Sequence, residues 1–142
     1  MSQQAPYRLK SYICGDWKAG ARDGAELRDA GTGAVVATID ATGLDMAEAL
    51  AYGRRSGAKL RAMTFHERAE MLKALGKFLT DHKAEFHALS LATGATPRDG
   101  MVDIEGGLHT LFAYSGMGRR ELPNARTLVE GDLQPLSKDG SF

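Results

Sequence analysis

Cysteine is almost missing from this chain: Cys14 stands alone among 142 residues. One thiol cannot close an internal disulfide, so a reducing compartment, the cytoplasm, is the expected setting. An excess of charge is missing too. Lysine plus arginine equals aspartate plus glutamate, at 18 each. That balance removes the electrostatic case for nucleic acid or an anionic membrane surface as partner. No apolar run approaches the roughly 20 residues needed to cross a bilayer. Met1-Ser2-Gln3-Gln4-Ala5-Pro6 has no apolar segment of the kind a secretory signal carries. What is present, 43% hydrophobic and 25% charged residues, is ordinary for a soluble globular domain with a modest core. Glycine is plentiful, 17 residues spread along the chain, which predicts many turns and helix ends and no flexible linker.

Residues 1–8 read as a disordered N-terminus. Leu9 to Ile39 has β texture. Tyr12-Ile13-Cys14 and Trp17-Lys18-Ala19 flank Gly15-Asp16 as a tight hairpin, Leu27–Ala30 is a short extended piece, and the β-branched run Ala34–Ile39 is a strand. The period then turns helical. Thr42…Asp45, Thr64…Glu67 and Thr96…Asp99 each place a hydroxyl and an acid three residues apart, the pattern of a capping box. Pro97 suits the first turn of the last of these. Helices are expected over about 43–62, 65–80, a stretch through Phe86, Leu89 and Ala92 ending at Thr93-Gly94, and 97–117. Met46, Leu50, Gly53, Gly57 and Leu60 share a face of the first helix; Ala69, Leu72, Leu75 and Leu79 share one of the second. Gly116 and Gly118 read as helix stops. Arg126–Glu130 and Leu133–Leu136 read as extended around a bend at Gly131-Asp132, and Lys138–Phe142 as the lead-in to another strand.

Few residues invite chemistry. His82 and Glu85 can share a helix face, but His87 points elsewhere, so a solvated face is expected and not a metal site. His66 is expected at the surface, and His109, on an apolar-rich helix, partly buried and hydrogen-bonded. Asp103 and Glu105, two apart on a helix, diverge and form no acid/base pair. Arg119-Arg120-Glu121 reads as a solvated cluster at a helix end. Gly116-x-Gly118 follows a helix and lacks a third glycine, so it fails as a dinucleotide fingerprint. There is no phosphate-binding loop, no nucleophile elbow and no zinc-type cysteine spacing. Cys14 lacks a helix N-terminus or cation to lower its pKa, which points to a structural role. The residues by themselves therefore give no catalytic, cofactor-binding or metal-binding set.

Several segments nevertheless resemble aldehyde dehydrogenases. Tyr12-Ile13-Cys14-Gly15-Asp16-Trp17 followed by Asp29-Ala30-Gly31-Thr32-Gly33-Ala34-Val35-Val36-Ala37 looks like that family's opening. Arg68-Ala69-x-x-Leu72 and Thr93-Gly94 match two of its helix signatures. The resemblance runs from about Leu9 to Phe142. Gly94-Ala95-Thr96-Pro97, Val102–Gly107 and Gly118–Pro123 look like the phenylacetate-degradation branch. Its members join the dehydrogenase domain to a hydratase-like one that opens the ring of oxepin-CoA, and they oxidise the resulting semialdehyde with NADP.

The resemblance implies an α/β fold, the N-terminal part of an aldehyde dehydrogenase domain: a hairpin and strands, about four helices, then an extended C-terminal segment that pairs subunits. Residues 9–142 would be an incomplete domain. The family's cysteine nucleophile, its activating Glu, its oxyanion Asn and its cofactor-binding sheet match nothing here. The expected function is thus a fragment of an NAD(P)-dependent aldehyde dehydrogenase, inactive alone and binding no cofactor itself, whose parent oxidises a CoA-linked semialdehyde. The alternative is a non-catalytic helical module that associates with an intact dehydrogenase.

Overall fold

The computed structural model describes residues 6–131, 135–137 and 140–141. Five short strands come first: β1 (Tyr7–Arg8), β2 (Ser11–Ile13), β3 (Asp16–Lys18), β4 (Ala25–Arg28) and β5 (Val35–Ile39). Four helices follow: α1 (Met46–Ala62), α2 (Phe65–Asp81), α3 (Lys83–Ala92) and α4 (Pro97–Arg120). Two further strands, β6 (Pro135–Ser137) and β7 (Gly140–Ser141), pair antiparallel. This is the expected α/β class, with the strands first and the helices after them.

The strands make two small units at the N-terminal end. In one, β5 lies between β1, which is parallel to it, and antiparallel β4. The other is the β2–β3 hairpin, with Tyr12 opposite Trp17 and their rings 5.2 Å apart. The hairpin turns at Cys14-Gly15, one residue earlier than predicted. Both residues have positive φ, 55° and 85°, the backbone a type I′ turn requires to match strand twist. The disorder predicted for residues 1–8 does not extend to Tyr7 and Arg8, which pair with Ala37 and Thr38. Arg8 also donates to the carbonyls of Gly20 and Arg22, at 2.6 and 2.7 Å. Residues 1–5 lie outside the described ones.

Two of the three predicted caps are complete capping boxes. The Thr64 hydroxyl accepts from the Glu67 N–H while Glu67 accepts from the Thr64 N–H, and Thr96 and Asp99 do the same. The third is displaced. Asp40 accepts hydrogen bonds from both the N–H and the hydroxyl of Thr42, so the threonine is spent in a turn, and Asp45 caps α1 by accepting from the Glu48 N–H.

The core lies between α2 and α4. Ala69, Leu72, Gly76 and Leu79 face Ile104, Leu108, Leu111 and Ser115, with Ala69 and Leu108 almost sealed from water. Leu75, expected on that face, is exposed. The Ser115 hydroxyl donates to the Ala69 carbonyl at 2.8 Å, tying the helices together in a buried bond. Gly118 is no helix stop. A Cβ there would sit 3.1 Å from the Ala69 Cβ, so glycine is what lets α4 continue against α2 as far as Arg120. Gly100 does the same against α3, where a Cβ would lie 2.7 Å from the Ser90 hydroxyl.

Arg126–Glu130, predicted extended, forms no strand; the pairing comes later, at β6 and β7. Gly131 has a φ of 85°, consistent with the predicted bend, while Asp132, Leu133 and Gln134 lie outside the described residues. No helix among the described residues is long and apolar enough to cross a membrane.

Helix α1 has no buried residue, and its predicted apolar face, including Met46, Leu50 and Leu60, is open.

Candidate functional site

Cys14 occupies the first central position of the β2–β3 turn as a free, half-buried thiol. With Lys18, Gly43, Leu44, Asp45 and Glu48 it lines a small cavity of about 150 Å³. The expected lack of a cation and a helix N-terminus is corrected: Lys18 and the start of α1, with its cap Asp45 and Glu48, share this lining, because the fold brings α1 against the hairpin turn. No histidine lines the cavity to act as its base.

The histidines are dispersed. His82 links α2 to α3, stacks on Phe78 with ring centroids 4.5 Å apart, and binds the Glu85 carboxylate through Nδ1 at 2.8 Å. His87 turns the other way, towards Glu105 on α4, at 3.8 Å. Glu105 also accepts from Lys83 Nζ at 2.8 Å. The Lys83 hydrogen bond, aided by the charges of Lys83 and the nearby histidines, holds the Glu105 carboxyl below its ordinary pKa. The result is an ion-pair clasp between α3 and α4. Asp103 is exposed and apart from it. Among the described residues no three His, Cys, Asp or Glu side chains converge as metal ligands.

Two histidine expectations need correction. His66 is half-buried, and its Nε2 lies 3.0 Å from the Leu122 carbonyl oxygen, so Nε2 carries the proton and donates. His109 is exposed, because its neighbour Leu108 takes the inward position on α4. Arg119 pairs with Glu70 on α2, so the basic end of α4 is more than a solvated cluster.

A polar concavity at the start of α2 was not apparent in the sequence. The loop after α4 folds back onto the start of α2, held by the His66–Leu122 bond and by the Phe65 N–H donating to the Ala125 carbonyl at 2.9 Å. This builds an open bowl of about 790 Å³ lined by Arg61, Thr64, Glu67, Asn124, Arg126 and Thr127, among others. Its parts come from the end of α1, the start of α2 and the loop after α4, so no local sequence signal could have grouped them.

A nicotinamide dinucleotide needs a glycine-rich turn between a strand and a helix, whose free N–H groups meet the diphosphate. Gly116 and Gly118 sit inside α4, where the backbone is committed to the helix. The described residues do not fit that cofactor.

Residues 17–135 match the aldehyde dehydrogenase family. The chain is 36% identical over 137 residues to the 3,4-dehydroadipyl-CoA semialdehyde dehydrogenase of Aromatoleum evansii. The match covers 95% of this chain and 26% of that protein. The chain thus spans about a quarter of the length of the curated relative it matches.

Proposed function

The chain belongs to the aldehyde dehydrogenase family, and on that premise we propose that it is the N-terminal portion of an NAD(P)-dependent dehydrogenase acting on an aldehyde attached to coenzyme A. The family match carries this reading, together with the name of the Aromatoleum relative, a CoA-linked semialdehyde dehydrogenase. That name shares with the phenylacetate-branch expectation a terminal aldehyde on a CoA thioester. It differs in the acyl chain, so the proposal stops at the shared chemistry.

Oxidising an aldehyde to an acid removes a hydride from the carbonyl carbon and adds an oxygen from water. It requires a nucleophile, a base and a hydride acceptor held close together. Cys14 is in a surface hairpin whose cavity is lined by no histidine base, and nothing described here holds a dinucleotide. We therefore assign the 142 residues a structural share of the enzyme, and predict that alone they do not turn over. The test is the purified chain with NAD or NADP and an acyl-CoA semialdehyde, followed by the absorbance of reduced nicotinamide. No reduction is expected; enzyme-like turnover abolished by Cys14→Ser would overturn the assignment.

The exposed surface favours a second reading, in which the chain works by associating with dehydrogenase polypeptide. The open apolar face of α1, with Met46, Leu50 and Leu60 exposed, is surface that such an association would cover. Pairing of subunits through the C-terminal segment belongs to the same proposal. Sedimentation of the chain alone, and with an intact dehydrogenase of the family, tests it. A strictly monomeric chain that ignores the dehydrogenase would dismiss it.

A further inference from the structure

We draw no further inference here: the strongest candidate, the open apolar face of α1 that carries Met46, Leu50 and Leu60, is an exposed helix face, and nothing among the described residues shows what covers it.

Discussion

The α2–α4 pair and α1 are built from similar material and end in opposite states. Both α1 and α2 are 17 residues long, start at a side-chain cap and carry an apolar stripe. In α2 the stripe meets α4: Leu108 is 6% exposed and Ala69 2%. In α1 it lies largely open: Leu50 is 59% exposed. An amphipathic stripe shows that a helix expects a partner, and only the fold shows whether this chain supplies it. The α2–α4 half supplies its own, while the α1 stripe lies open.

The sharpest way to break this contrast is to cut the same side chain in both regions. Leu108→Ala should cost about 2–3 kcal/mol through lost burial and a residual cavity, read as a lower denaturant midpoint by circular dichroism. Leu50→Ala is the counterpart, taken last below. Overpacking probes the same interface from the other side. Gly118→Val puts a Cβ 3.1 Å from that of Ala69. It should cost about 1–3 kcal/mol and lower the thermal midpoint, since backbone must move to admit it.

Capping comes next. Thr64→Ala removes an acceptor from a complete box and should cost about 1 kcal/mol. Thr42→Ala, at the displaced position, should leave the helical content of α1 intact, because Asp45 holds its first turn. Helix loss in the second variant matching that in the first would refute the cap assignment.

Acid should weaken the β region as well as the Glu105 clasp between α3 and α4. Asp29 is held below its ordinary 3.8 by the Thr32 N–H, then the Thr32 hydroxyl, and Asp40 by the Thr42 hydroxyl, then the Arg22 N–H. A carboxyl with a depressed folded pKa adds stability that is full above its unfolded pKa. That stability disappears as pH falls through the folded value. The chain should therefore lose stability as pH drops through 3.8 and below, and Asp40→Asn should flatten that dependence. An unchanged acid profile in the variant would exclude the role. Smallest of all, Leu50→Ala should shift the midpoint of the isolated chain by under about 0.5 kcal/mol. It should matter only once the chain is associated, so a large effect on the monomer would mean that α1 already has a partner.

The sequence made the helices legible because their signals are local. Thr64 and Glu67, or Thr96, Pro97 and Asp99, lie within one turn and need no distant neighbour. Where the reading failed, a distant residue intervened. Thr42 was claimed by Asp40, Tyr7 and Arg8 found β5, and Gly118 met Ala69, turning an apparent helix stop into a packing device. His66 was drawn in by the Leu122 carbonyl, and His109 was turned outward by the placement of Leu108. The bowl was wholly illegible, since its lining from α1, α2 and the loop after α4 comes together only when that loop folds back.

By itself the sequence determined the class of elements, two complete capping boxes, the family resemblance and the absence of a recognisable catalytic motif. Each depends on residue identity at short spacing, where backbone geometry dictates which side chains meet. Tertiary structure alone decided which apolar stripe is satisfied, where glycine allows helices to touch, and which segments line the bowl. Those outcomes depend on residues far apart in the chain, and sequence spacing says nothing about which distant surfaces meet.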